Sequence, residues 1–422
     1  MPPELPPRGE GGRQGRGAHA TARSRSQAPA YPPCPVPAWQ RAGAGAERAD
    51  AAPRQPRRPA LGAVRRRGAG AGRGARRGTS RAPRAGRCRS GDRPAAAALS
   101  AMAAKYPLSP AMWRFVEHSR AFASDSPRLD AQRAAYARMC QAFAPPRPAG
   151  LRVLDSCLPA APPVRVRRYR PDRPAPPGGW PALLYLHGGG WMLGGLDSHD
   201  FICADLAARL GLLVLAVDYR LAPEHPFPAA LQDCLRAWQA LSLGELDEAL
   251  DGRRLLVAGD SAGGNLAAAL CLALRDGGAP SPAAQILLYP LLSAAPSPSR
   301  IDCADAPLLG LGDVQACLDA YLPLAALQRQ PLALPLEAAD FTGLPPAFVA
   351  VAEFDPLRDD GERYGAALRA AGGEAGFYPG SGLVHGCLRG HGIDEVEALH
   401  EALRRAVQGF LAEDSGERQA GE

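Results

Sequence analysis

The stretch RRLLVAGDSAGGNLAAAL, residues 253 to 270, decides how this chain is read. An apolar run suited to a buried strand passes through Gly259-Asp260-Ser261-Ala262-Gly263-Gly264 into an alanine-rich run suited to a helix. Ser261 has glycine two places before it and two after it, the G-x-S-x-G spacing of a turn so sharp that neighbouring side chains must nearly vanish. Such a turn lifts the Ser261 hydroxyl clear of the sheet. It also aims the first amides of the following helix at the place where negative charge develops in acyl transfer. In a chain with 47 glycines the spacing alone can arise by chance, so the strand before it and the helix after it carry the weight.

Upstream, the apolar run PALLYL ends in His187-Gly188-Gly189-Gly190-Trp191. Three consecutive glycines let a backbone approach a bound group closely, with N–H donors directed at an oxyanion. Alone, such a turn is only a flexible loop. Paired with the Ser261 turn it predicts a donor pocket made by the amides of Gly189, Gly190 and Ala262. His187 reads as a loop-shaping side chain and Asp260 as an acceptor that braces the loop. Trp191 and Met192 are candidates for lining the acyl or alcohol pocket, with simple packing as the alternative.

A serine nucleophile needs a base, and the base needs an orienting acid. Of the eight histidines, His19 lies in the Arg-rich segment and His118 in an N-terminal helical pattern. His199 and His225 precede the serine, which conflicts with the order Ser, Asp, His on sheets of this kind. His385 follows the strand-like EAGFYPG in the loop GSGLVHGC. His391 lies farther along that loop and His400 in a helical pattern, which leaves His385 as the expected base. Asp355 directly follows the run AFVAVAEF and is the expected acid, whereas Asp359 and Asp360 fall in the first turn of the next helix, where acids favour the helix dipole. Asp218, Arg220 and Glu224 in DYRLAPEHPFP read as structural ion pairing that braces a Pro-rich loop.

Outward from these motifs the chain alternates strand and helix. VRVRRYRP (164–171) reads as an edge-region strand, followed by strands at 181–190, 210–220, 254–259, 284–290 and 345–356 and by EAGFYPG (374–380). Helices are expected at about 228–243, after the Ser261 turn to 275, at 359–372 and at 394–412. This predicts an α/β fold with a largely parallel sheet covered on both faces, its site at the carboxyl ends of the strands. MWRFVEHSRAF and LDAQRAAYARMCQAF place apolar residues at helical spacing, with Ser126-Pro127 between them, and APPRP (144–148) closes the second helix. Residues 291–344 break the rhythm and read as an insertion with helical pieces over the site.

The charge is uneven. Residues 1–100 hold 21 arginines, no lysine and five acids, a net of +16, whereas the remainder carries −9, so the overall +7 describes neither part. Without apolar periodicity, segment 1–101 cannot bury enough surface to offset its conformational entropy and is expected to be disordered. A translated stretch upstream of the true start is favoured over a basic tail or a targeting segment, since Met102 sits where the composition turns globular. No run reaches the length of a membrane span and no apolar h-region follows the N-terminus. The ten cysteines show no CxxC pair and no metal-ligand spacing, which predicts reduced thiols in a cytoplasmic protein and no metal.

Five ordered motifs, HGGGWMLGGLDSHD, VDYRLAPEHPFPAAL, GDSAGGNLAAAL, the AEFDPLRDDG run and VHG at 384–386, together resemble the hormone-sensitive lipase family of α/β hydrolases, in its bacterial esterase branch. The resemblance spans roughly 102–412. It implies the α/β-hydrolase fold, with 102–150 and part of 291–344 as a helical cap on a catalytic domain 151–412, and leaves 413–422 as a polar tail. By the same likeness Ser261, Asp355 and His385 match the family's triad, and Gly189, Gly190 and Ala262 its oxyanion hole. The implied activity is hydrolysis of small to medium-chain esters through an acyl-enzyme, with no cofactor, no specific nucleic acid partner and no membrane span. Family members often pair through a sheet edge, so the resemblance admits a homodimer. The family often has phenylalanine after HG where Cys387 stands here, which bears on the pocket's shape. Two other functions fit the same residues: amide or carbamate hydrolysis by the same triad, and a catalytically silent binding protein.

Overall fold

The computed structural model describes residues 102–246 and 248–413. The expectations for segment 1–101 and for the polar tail beyond Glu413 concern residues outside that range. Eight strands, β1 (Leu151–Leu158), β2 (Val164–Pro171), β3 (Trp180–Leu186), β4 (Leu213–Asp218), β5 (Leu250–Asp260), β6 (Ala284–Leu288), β7 (Ala347–Ala350) and β8 (Ala375–Tyr378), form one sheet. Their spatial order is β1-β2-β4-β3-β5-β6-β7-β8. The β1/β2 and β2/β4 pairs are antiparallel; every pair from β4/β3 onward is parallel.

Strand β3, and β4 up to Asp218, are apolar because both of their faces are covered. On β3, Ala182, Leu184 and Leu186 enter one core and Leu183 and Tyr185 the other; β4 divides the same way, with Leu213, Leu215 and Val217 against Val214 and Ala216. The first core is closed by α4 (Ala229–Ser242), α5 (Ala262–Asp276) and α8 (Arg358–Ala370), and the second by α1 (Pro110–Arg120), α3 (Asp200–Leu210) and α9 (Asp394–Glu413). Helix α1 begins at a Ser109 cap whose Oγ accepts the Met112 N–H, with Pro110 in the first position. Helix α2 (Leu129–Phe143) stops at Ala144, before Pro145 and Pro146.

Two elements depart from the sequence reading. Strand β2 lies one place in from the sheet edge, where the unread strand β1 pairs with it along its whole length. Strand β1 escaped notice because most of its side chains are exposed or half-buried; cross-strand pairing holds it, with Asp155 accepting from Arg167 Nε at 2.6 Å and Nη2 at 2.9 Å. Helix α3 was likewise unread. The charged residues of DYRLAPEHPFP do not pair with one another: Asp218 meets Arg165 at 3.0 Å, Arg220 meets Asp233 at 2.8 Å and Glu224 meets Arg133 at 2.7 Å. Arg133 belongs to α2 and also donates to the carbonyls of Met192 and Ala222, so it ties that helix to two loops at the sheet's carboxyl edge.

After β6 the chain forms α6 (Pro298–Asp302), α7 (Leu311–Tyr321) and two 3-10 turns, Ala325–Arg329 and Pro335–Glu337, before β7. No described helix is long and apolar enough to cross a membrane. The eight described cysteines are all free.

Candidate active site

Ser261 stands between β5 and α5 with φ +56° and ψ −119°, a conformation that side chains seldom adopt and that the surrounding structure must hold. Its N–H donates to the Leu288 carbonyl of β6 at 2.8 Å. Gly263 is required by close approach: a Cβ there would collide with the Leu186 carbonyl at the end of β3. The sharp turn therefore follows from helix α5 starting directly over the sheet.

Two loops bring the other groups to Ser261. Beyond β7 and β8, Phe354 and Val384 form a parallel bridge, and the Phe354 N–H donates to Leu383 at 3.0 Å, which sets Asp355 and His385 side by side. Asp355 Oδ2 lies 2.7 Å from His385 Nδ1, and His385 Nε2 lies 2.9 Å from Ser261 Oγ. Asp355 is fully buried and its Oδ1 accepts the Leu357 N–H at 2.8 Å. The His385 side chain keeps 12% exposure, enough to meet a bound substrate. With Nδ1–H donating to Asp355, Nε2 is the acceptor that faces the serine proton. The other late histidines stand elsewhere: His391 stacks on His400 at 5.4 Å, and His400 Nε2 meets the Leu388 carbonyl at 2.9 Å.

Gly189 and Gly190 have φ values of +124° and +59°. No described carbonyl accepts from either N–H, and the N–H of Ala262, at the first position of α5, has no partner within its helix. All three residues line the same cavity as Ser261. Below the loop, the His187 ring stacks on Tyr219 at 4.2 Å, its Nδ1 meets the Gly188 carbonyl at 2.9 Å, and Tyr219 Oη donates to the His187 carbonyl at 2.6 Å. Burial pushes the His187 pKa down to about 3, so the ring is neutral. Asp260 accepts from Tyr185 Oη and from the Gly188 N–H, both at 3.0 Å. It also meets His199 Nε2 at 3.3 Å. Burial raises the Asp260 carboxyl, but His199 and the other donors outweigh it and hold the group well below the carboxylate range.

The cavity has a volume of about 690 Å³. Its walls come from α1, α2, α7, the glycine loop and the loop after β8, including Phe115, Tyr136, Met139, Met192, Leu309 and Cys317. Met192 is where the sequence placed it. Trp191 takes the packing alternative: it is fully buried and stacks on Tyr321 at 4.1 Å, because its φ of +57° turns it into the core beneath the loop. Sequence reading missed Tyr136, Cys317 and Arg389, and it weighed His199 only as a base and not as a partner of Asp260. Each acquires its place through a contact between segments far apart in the chain, for which no local pattern is a signal. Among the described residues no cluster of His, Cys, Asp or Glu is arranged to hold a metal.

A family profile described as the alpha/beta hydrolase fold matches residues 183–389, which include the glycine loop, Ser261, Asp355 and His385. The esterase LipI of Mycobacterium tuberculosis is 40% identical over 260 residues, covering 61% of this chain and 81% of its own. The ethyl acetate hydrolase of Pseudomonas putida is 38% identical over 251 residues, 58% of this chain and 76% of its own. Among solved structures, the hyperthermophilic esterase of the archaeon Pyrobaculum calidifontis superposes with a TM-score of 0.66 at 32% identity, over 72% of this chain and 98% of that one. Strand order, the turn at Ser261 and this shared identity lead to one conclusion: the chain belongs to the α/β-hydrolase fold family, among its hormone-sensitive-lipase-like esterases.

Proposed function

We propose that this carboxylic-ester hydrolase works through Ser261 as nucleophile, His385 as base and Asp355 as the acid that orients it. The observation that carries the reading is the unbroken hydrogen-bonded chain from Asp355 through His385 to Ser261 Oγ. His385 Nε2 takes the serine proton as Oγ attacks the ester carbonyl, and Asp355 stabilises the imidazolium that forms. The tetrahedral oxyanion rests against the amides of Gly189, Gly190 and Ala262; each such donor is worth about 2.7 to 4 kcal/mol. Collapse breaks the C–O bond to the alcohol, which leaves with the proton from His385. Water, deprotonated by the same imidazole, then attacks the acyl-enzyme and releases the acid.

Helices α1 and α2 together with segment 291–344 act as the cap that closes the cavity, supported by their contribution to its walls. A cavity of about 690 Å³ suits esters with short to medium acyl chains rather than long-chain fats. The reading includes a cytoplasmic location, which free cysteines fit. It also includes a homodimer joined at a sheet edge, supported by Phe377 lying exposed on the outermost strand β8. Light scattering tests this: twice the chain mass is expected, and a monomer mass refutes it.

Mixing the enzyme with 4-nitrophenyl butyrate tests the chemistry. A burst of nitrophenol equal to the enzyme concentration is expected, absent in Ser261→Ala. No burst, with turnover unchanged in Ser261→Ala, would sink the assignment.

A further inference from the structure

The residues after His385 take no part in the mechanism above, yet they carry a charge into the cavity. Gly386 leads into a 3-10 turn, Cys387–Arg389. Cys387 and Leu388 are buried in the core, and Arg389 is the residue of that turn that lines the cavity beside His385 and Ser261.

The protein leaves most of this guanidinium unused. Nη2 donates to the Tyr136 hydroxyl of α2, Nη1 makes a long contact of 3.4 Å with the Gly386 carbonyl, and Nε is buried without a partner. Among the described residues no carboxylate comes within ion-pairing distance of it. A second wall residue, Arg120, meets only the Met102 sulfur among the described residues, at 3.5 and 3.6 Å. The carboxylates on the wall are otherwise engaged. Asp305 is tied to Lys105 and Tyr106, Asp313 caps α7 from an exposed position, and Asp260 is held by Tyr185, Gly188 and His199. Asp260 is close enough to act on Arg389 through space but gives it no hydrogen bond. Arg389 is half-buried in the cavity wall, and a partly desolvated cation with free donors gains when something else completes it.

We propose that Arg389, with Tyr136, forms a subsite for a carboxylate carried by the substrate, so that the enzyme takes esters bearing an anionic group remote from the scissile bond. Half-esters of dicarboxylic acids are the simplest members of the class. The proposal rests on the Ser261 reading, since the subsite shares that cavity. A carboxylate receives two parallel N–H donors from the planar guanidinium. The Tyr136 oxygen already accepts from Arg389, which leaves its own proton for the same anion. Enclosure away from bulk water strengthens each of these contacts. The anion can reside on the acyl half or on the alcohol half, and the test separates the two.

Titration of acid release in a pH-stat gives kcat/KM for two matched pairs. Monoethyl adipate against ethyl hexanoate places the charge on the acyl side, and 4-acetoxybutanoate against butyl acetate places it on the alcohol side. In one pair the wild-type enzyme is expected to hydrolyse the charged ester at least as well as its neutral partner. Arg389→Gln should lower that charged-to-neutral ratio by roughly tenfold or more, and Arg389→Lys, which keeps the charge but not the fork, by less. The pair that responds identifies which half carries the anion. Strong preference for the neutral ester in both pairs, or ratios unmoved by both substitutions, overturns the proposal. Should the wild type leave the neutral esters untouched as well, the Ser261 reading itself fails.

Discussion

Two histidine–aspartate pairs flank the turn at Ser261, and they differ in what lies beyond the histidine. In one, His385 bridges Asp355 at 2.7 Å and Ser261 Oγ at 2.9 Å and borders the cavity. In the other, His199 meets Asp260 at 3.3 Å, its second nitrogen is taken by Ser198 Oγ at 2.9 Å, and both side chains are buried. Both contain an imidazole and a buried carboxylate, so the pairing itself does not make a base. An imidazole becomes one when its second nitrogen is left for the nucleophile's proton. The second pair fixes the loops: Asp260 also holds the Gly188 N–H and so links the Ser261 turn to the glycine loop.

The comparison breaks most sharply at the nucleophile. Ser261→Ala should reduce kcat on 4-nitrophenyl butyrate by on the order of 10⁵ to 10⁶-fold while the fold persists, measured by steady-state kinetics beside a thermal melt. Asp355→Asn should cost roughly 10⁴-fold in kcat with little change in KM, because the amide favours the wrong His385 tautomer. Asp260→Asn should act the other way round. Removing this buried carboxylate leaves the donors of Tyr185, Gly188 and His199 poorly matched, at a cost of about 1 to 3 kcal/mol of stability, read by urea unfolding, and a 10⁴-fold loss of kcat without loss of stability would erase the distinction between the pairs.

The last effect concerns pH. Burial pushes His187 down to about 3 from 6.5, so the unfolded chain binds a proton that the folded chain refuses. Its contribution to stability is complete above pH 6.5 and is lost as pH falls toward 3, by about 1.4 kcal/mol per pH unit. The stability of His187→Gln relative to wild type should therefore rise on acidification below pH 6.5. Taking the difference between the two proteins cancels Asp360, whose carboxyl burial raises to about 6 and which titrates with the opposite sign.

The same distinction explains how much the sequence revealed. Apolar runs bounded by glycine or proline marked strands β3 to β7 because their faces are largely buried, and the spacing of Ser261, Asp355 and His385 marked their loops because strand ends set those positions. Strand β1 stayed hidden because its stability lies in pairs such as Asp155 with Arg167 and not in an apolar stripe. The partners of His199, Arg389 and Tyr136 stayed hidden for a related reason. Each meets its partner across a long stretch of chain, 253 residues between Tyr136 and Arg389, where no periodicity connects them. Trp191 stayed open between two readings because an aromatic beside a glycine loop is equally suited to pocket and core, and only the backbone at φ +57° decides.

The most direct measurement is rapid acid quench of the enzyme with 4-nitrophenyl butyrate, followed by peptide mapping by mass spectrometry. One butyryl group is expected on the peptide containing Ser261, accumulating within the burst, and absent in Ser261→Ala. An adduct on another residue, or turnover with no acyl-enzyme at any quench time and undiminished in Ser261→Ala, would contradict the account.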